Sequence, residues 1–405
     1  MPFASGAFGQ LRYCVETVIG TTPAIAGVNL RQTGPTMKAA VATTTSKEIQ
    51  PSRMVNSLTR TDLNIDGGFK IELSGKEYDP FLEGLLGSTY SHYGTLGLAT
   101  IATAVTAAAG SFTASAIPTA NLGLGQWFKF VPPTAASTAV KDYYADAWFK
   151  THAITAVSAT VITLDASTPV AVIGQGALGT GFKVSSSVVS NGAAKRGFTL
   201  EWDMTDITQF LTFKGMQTNT LNLDVQVGNI ITGDFGFIGL GHPGMTAVTA
   251  YTGGPTASQT LDVMNAVADL GVFQENGVNL LSAGSFIKSV KLAITNGLRA
   301  QKAVGVFGNA GVGFGELNIT GTLEVYVQDA VYYNKWFAGT NTSLAIGFAD
   351  SVGNGYLIEL DKVTFKDGAF NPGDLSSDSM LSLPFQALFN ATTSRGIRIT
   401  RAIAA

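Results

Sequence analysis

Residues 61–74 read TDLNIDGGFKIELS, and in them Leu63, Ile65, Phe69, Ile71 and Leu73 alternate with Asp62, Asn64, Asp66, Lys70 and Glu72. A period of two with the apolar side chains on one side is the pattern of a half-buried β-strand. Gly67 and Gly68 fall in the middle, where glycine predicts a bend or bulge. Directly afterwards, Tyr78–Leu86 (YDPFLEGLL) spaces Phe81, Leu82, Leu85 and Leu86 as a helix does, with Pro80 suited to the first turn and Gly87 to the stop. The local unit is a long strand followed by one short helix.

That unit occurs twice. Sliding the chain against itself by 254 positions lays TDLNIDGGFKIEL on GELNITGTLEVYV, which begins at Gly315. Leu63, Asn64, Ile65 and Gly67 then meet Leu317, Asn318, Ile319 and Gly321, and Tyr78 meets Tyr332. A second helix is expected in DAVYYNKWFAG, with Trp336 and Phe337 on its apolar side. Each strand follows a long polar or glycine-rich stretch, Thr43–Arg60 in one case and Asn296–Gly315 in the other.

The downstream halves match in order too. Strands are expected in TLEWDM, FLTFKGMQ, TLNLDVQV and GDFGFIGL between Thr199 and Leu240. Their counterparts between Ser343 and Leu388 are SLAIGFAD, YLIELDKV, TFKDGAF and LSLPFQAL, with a turn at Gly353–Gly355. A period this long points to a duplicated domain, not a solenoid. Residues 89–195 interrupt only the first copy; low in charge and rich in Ala, Thr, Ser and Gly, they read as a small inserted β-barrel or sandwich with strands at Gln126–Val131, Ala147–Val157, Thr160–Ala166 and near Phe182–Val188. Residues 242–282 lack a period and read as the connection between the copies, long enough to expect a function or a neighbour that orders it.

Composition narrows the function. Of 405 residues, 45% are hydrophobic but only 13% charged, against roughly a quarter charged in ordinary soluble domains. The 25 basic and 28 acidic residues leave a formal charge of −3, with no basic surplus to grip a phosphate backbone. One cysteine, Cys14, excludes a disulfide framework and a cysteine-based zinc site. The N-terminus MPFASGAFGQLRYCVE does not read as a secretory signal. Leu96–Gly110 is too short and too rich in Thr and Ala to span a bilayer, so intracellular synthesis without membrane insertion is expected. A neutral, charge-poor surface on such a chain implies that other copies cover much of it.

No catalytic chemistry stands out. His92, His152 and His242 are isolated from metal-ligand partners, so no catalytic residue, metal or cofactor is expected. Gly239–Gly244 matches G-x-G-x-x-G, yet Pro243 and the following TAVTAYTGGPT cannot open the helix that would hold a pyrophosphate. Nucleophile-elbow, Walker A, H-E-x-x-H and EF-hand patterns do not occur. Glycosylation triplets at Asn318, Asn341 and Asn390 carry no meaning without secretion.

Taken together, the runs EIQPSRMVNSLTRTDLNIDGGFKIELSGKEYDPFLEGLLG, GFTLEWDMTDITQFLTFKGMQTNTLNLDVQVGNIITGDFGFIG and LRAQKAVGVFGNAGVGFGELNITGTLEVYVQDAVYYNKWFAGT, with MLSLPFQALF and IRITR at the end, resemble the tail tube (major tail) proteins of long-tailed bacteriophages. The stretches LGLGQWFKFV and AWFKTHAITAVSATVITLD resemble the small barrel that some members carry. The resemblance implies an all-β fold with short flanking helices. It comprises a first tail-tube β-sandwich domain from 1–88 with 196–241, an inserted small β domain at 89–195, the connection 242–282, and a second tail-tube domain at 283–405. It implies a non-enzymatic virion protein of stacked rings, made in the host cytoplasm and incorporated in the tail. A duplicated member implies a trimer closing as a pseudohexamer, because two positions per chain fill six with three chains.

The implied partners are further copies, the tape measure protein, tail-tip or initiator proteins and the tail terminator, while DNA passes through the lumen without specific binding. Asp62, Asn64, Asp66 and Glu72 in the first copy, and Glu316, Asn318 and Glu324 in the second, are candidates to line that lumen. The two polar stretches before the long strands resemble the family's inter-ring arm, which makes Arg53, Arg60, Arg299 and Lys302 candidates for inter-ring ion pairs. Two other readings compete: a capsid-decoration or tail-terminator type of virion protein, and an extracellular glycan-binding β module.

Overall fold

A computed structural model describes residues 3–92, 98–101, 105–108, 111–117, 129–131, 154–164, 176–179, 182–185, 187–280, 286–351 and 354–402. The chain is almost entirely β, with two α-helices among the described residues. In chain order the principal elements are β1 (Gly9–Glu16), β2 (Val28–Leu30), β3 (Lys38–Thr45), β4 (Leu58–Glu72), α1 (Asp79–Leu86), β5 (Ser187–Ser190), β6 (Gly197–Met204), β7 (Gln209–Gln226), β8 (Thr232–Ile238) and β9 (Met245–Thr246). They continue as β10 (Leu270–Glu275), β11 (Ile287–Thr295), β12 (Asn318–Tyr326), α2 (Val331–Phe337), β13 (Thr342–Ala349), β14 (Gly355–Phe365), β15 (Ala369–Asn371), β16 (Met380–Ala387) and β17 (Arg398–Ala402).

The same antiparallel ladders form twice. β3–β4, β4–β8, β8–β7, β7–β6, β6–β1 and β7–β9 recur as β11–β12, β12–β16, β16–β14, β14–β13, β13–β10 and β14–β17. One further ladder joins the two sets: Thr220–Gln226 of β7 pairs with Ser289–Thr295 of β11. The result is an open inner sheet running β3, β4, β8, β7, β11, β12, β16 and the end of β14 with β15. Within the chain β3 has β4 as its ladder partner, and β15 has β16.

Alternation in the sequence sets the two faces of this sheet. Phe69, Leu221, Phe235, Leu292 and Leu323 are buried on one side, against an outer layer that includes β1 and β6. There α1 closes the core: Phe81 is fully buried, with ring centroids 4.8 Å from Tyr13 and Phe198 and 5.1 Å from Phe69. The helix begins one residue after Tyr78 with Pro80 in its first turn and ends on Gly87 in the left-handed conformation, as its sequence predicts.

The two strands expected at FLTFKGMQ and TLNLDVQV form one 18-residue strand, β7. It crosses from the outer to the inner layer at a register shift facing Phe198 and Leu200, where Gly215 takes φ 63°. The buried Glu16 carboxylate fixes that kink by accepting the Gly215 N–H at 2.9 Å and the Thr199 hydroxyl at 2.7 Å. Gly67–Gly68 differ from expectation in another way: the β4–β8 ladder runs through both without a shift. Gly67, at φ 95°, marks instead the place where the edge partner changes from Gly34–Pro35 to β3; a Cβ there would lie 2.2 Å from the Thr36 carbonyl oxygen.

α2 forms where expected, but Phe337 is 79% exposed and only Tyr332 and Trp336 pack on the core. β10 lies within the stretch read as a connection and ladders onto β13. In the inserted region, the described strands Leu98–Ile101, Lys129–Val131 and Phe182–Ser185 pair with one another. Val105–Ala108, Ser111–Thr113, Ile154–Val157, Val161–Leu164 and Gly176–Gly179 form a second group. β5, at the base of the insertion, pairs with Ser91–His92 and with β17. His152, Gly353 and the expected strand portions at 126–128, 147–153 and 165–166 lie outside the described residues.

Candidate functional site

The face of the inner sheet opposite the core is polar and bounds an open concavity of about 790 Å³. Its side chains form rungs through the ladders. One runs Lys70, Asp234, Asn222, Ala293, Thr320 and Gln386. The next runs Glu72, Thr232, Asp224, Lys291, Thr322 and Pro384. Lys70, Lys291 and Lys366 stand among the concavity's lining residues with Glu72, Asp224 and Asp234, so the face carries both signs in balance. Such a wall offers no continuous basic track for a polyanion.

Of the residues picked from sequence, Asp62, Asn64, Asp66 and Glu72 share the polar side of β4, and Glu72 lies in the concavity. Asp62 and Asn64 are held by the Lys302 ammonium, at 2.8 and 2.9 Å. That hydrogen bond holds the exposed Asp62 carboxyl below the ordinary carboxylate value. Asp66 lies 3.3 Å from Lys38. In the second set, Asn318 accepts from Gln386 Nε2 at 2.7 Å and Glu324 accepts from the Ser289 hydroxyl at 3.0 Å, whereas Glu316 precedes β12. Sequence reasoning did not pick Asn222, Asp224, Asp234, Lys291 or Thr320. The alternations in TLNLDVQV and GDFGFIG contain the first three, but their phase becomes meaningful only once β8 is laid beside β4.

The two polar stretches take different forms. Thr43–Arg60 is not a plain loop: β3 and β4 continue as a paired hairpin as far as Thr45 and Leu58. Residues 46–57 form its tip, where Ile49, Met54 and Val55 are exposed together with Arg53. Asn296–Gly315 instead folds back onto the first set of strands. There Asn309 donates to the Gly239 carbonyl at 2.6 Å and Lys302 to the Leu63 carbonyl within β4 at 3.1 Å, while Arg299 donates to the Phe314 carbonyl at 3.0 Å. Lys302 is thus engaged by the neighbouring strand set of its own chain.

Where the two sets meet, α1 is covered by β14 and β17. The Tyr356 hydroxyl donates to Asp79 Oδ1 at 2.6 Å, and Arg401 pairs with Asp79 Oδ2. Burial raises the Asp79 carboxyl above its ordinary value, against the opposing pull of Arg401. Glu83 on the same helix pairs with Arg196 at 2.6 Å. The Asp79 carboxylate, held by Tyr356 and Arg401, ties one strand set to the next, whereas the Glu83–Arg196 pair lies within the first set.

His242 stacks on Phe213 at 4.9 Å with its Nδ1 2.7 Å from the Thr212 carbonyl, and the strand β9, not a helix, follows Gly239–Gly244. Among the described residues, no group of three or more His, Cys, Asp or Glu is placed to hold a metal ion. No helix among them is long and apolar enough to cross a membrane. Comparison with known families matches the chain, over residues 6–387, to one described as phage tail tube protein. No curated protein matches it.

Proposed function

Because this chain belongs to the phage tail tube protein family, a family of structural tail proteins, we propose that three copies close into a pseudohexameric ring and that stacked rings form the conduit for DNA ejection. One observation carries this reading: the six ladders repeat within one chain and the two sets are joined by β7 and β11, while the sheet stays open at β3 and at β15. β3 occupies in the first set the place of β11 in the second. β15 likewise follows β14 opposite the β16 residues whose counterparts in β8 face β7. Pairing β15 of one copy with β3 of the next repeats the internal junction and removes both exposed edges.

In this reading 1–88 with 196–241 and 283–405 are the two tube domains, with β10 assigned to the second, and 89–195 is an outward decoration. The polar concave face lines the lumen, where its balanced charge lets DNA pass without holding it. The β3–β4 tip reaches the adjacent ring with Arg53 and its exposed apolar residues. Further tail components, namely the tape measure, initiator and terminator proteins, are its other partners, met in the host cytoplasm during assembly. Electron microscopy of purified protein, alone and with a tail-tip initiator, tests the proposal: hollow tubes of three-chain rings are expected. Six chains per ring would refute the trimer, and chains that never assemble would refute the tube.

A further inference from the structure

The internal junction supplies a template for a second contact between copies, outside the sheet edges. On the receiving side, Ile71, Leu73, Tyr78, Leu82 and Leu223 of the first set lie beneath Tyr356, Ile358 and Ile399 of the second, around a void of about 20 Å³. The second set repeats this receiving surface: Val325, Val327, Tyr332 and Trp336 stand 254 positions on, and Phe370, opposite Leu381, takes the place of Leu223, opposite Gly233. Leu73 and Leu223 are 6% and 5% exposed, but Val327 and Phe370 are 39% and 50% exposed.

The covering side is repeated as well. Ile358 lies between Ile346 and Ile399, and Leu211 between Trp202 and Met245 in the matching ladders. Gln209, Leu211 and Met245 therefore stand where Tyr356, Ile358 and Ile399 do, and Met245 is 56% exposed. The chain thus carries one receiving and one covering surface, each open and each complementary by the internal precedent.

We propose that the Gln209–Leu211 and Met245 surface of one copy clasps the Val327, Phe370 and α2 surface of the next. This rests on the ring reading, because the operation that stacks one strand set on the other must recur between chains. The chemistry changes at this seam. Tyr333 and Phe337 replace Asp79 and Glu83, and Ala247 follows Met245 where Arg401 lies beyond Ile399. The internal seam flanks its apolar contact with the Asp79–Arg401 ion pair, whereas the external one has aromatic side chains and alanine at those positions, as suits a contact that forms after folding and must exclude water on meeting.

The test uses two full-length preparations, one with Tyr333→Cys and one with Ala247→Cys, mixed under assembly conditions and treated with a short bismaleimide. Cys14, the sole native thiol, is buried. A covalent dimer containing one chain of each variant is expected, at least tenfold above either preparation alone. Three-chain rings without that product would overturn the clasp and leave the ring intact. Absence of both rings and product would overturn both. In parallel, Met245→Asp is expected to lower ring yield at least tenfold while leaving the melting of the unassembled chain unchanged; normal ring yield would count against the clasp.

Discussion

Replacing Asp79 with Ala tests whether the internal junction rests on its buried charges. In the folded chain the Asp79 and Arg401 side chains are 10% and 13% exposed, and Tyr356, which donates to Asp79 at 2.6 Å, is 2% exposed. Asp79→Ala leaves Arg401 charged and buried, a change that costs about 3–5 kcal/mol. The orphaned Tyr356 hydroxyl adds to the penalty, though not additively, because both partners share one carboxylate. For a large chain each kcal/mol moves the melting temperature by about 2 °C, so a drop of about 6–10 °C is expected by circular dichroism at a concentration below assembly. Asp79→Asn keeps an acceptor for Tyr356 and should fall between. The double variant Asp79→Ala/Arg401→Met removes both charges and should recover at least about 1.5 kcal/mol of the single variant's loss. A drop below 2 °C for Asp79→Ala, or a double variant no better than the single, would refute the reasoning.

Phe81→Ala opens a cavity where five aromatic rings converge and is expected to cost about 3–5 kcal/mol in denaturant unfolding; a loss under about 1 kcal/mol would contradict its place in the core. The Lys302 contact lowers the Asp62 pKa, so its contribution is present above the ordinary aspartate value of about 4 and is lost as pH falls through the depressed value. Hydrogen exchange across 296–315, corrected for its intrinsic pH dependence, should accelerate in that acid range in the native chain and show no such step in Lys302→Ala. Replacing 46–57 with an Asn-Gly turn that closes Thr45 onto Leu58 should leave rings intact but prevent their stacking; tubes of normal length on electron micrographs would show that the tip is not the inter-ring arm.

Much of the fold was legible because local physics and tertiary packing agree. The alternation in TDLNIDGGFKIELS fixed which face of β4 is buried, Pro80 and Gly87 bounded α1, and the 254-residue repeat announced a second copy of the strand-helix unit. Polarity on the sheet's concave face was legible for the same reason, since a period of two leaves every second side chain on the side away from the core.

What the chain could not reveal locally is what lies opposite each element. TLNLDVQV reads as a strand, but only its pairing with both β8 and β11 makes it the link between the two sets and puts Asn222 and Asp224 in the concavity. Tyr78–Leu86 and DAVYYNKWFAG read as equivalent helices, yet one is covered by β14 and β17 and the other stays open, because only the first has a strand set following it in the same chain. Lys302 reads from sequence as a candidate for an inter-ring ion pair, and the fold sets its ammonium 2.8 Å from the carboxylate of Asp62, 240 residues away. Periodicity is a property of neighbours in sequence and survives without a fold. Burial, charge pairing and the direction in which a surface remains unfilled depend on residues hundreds of positions apart, which only the tertiary structure brings together.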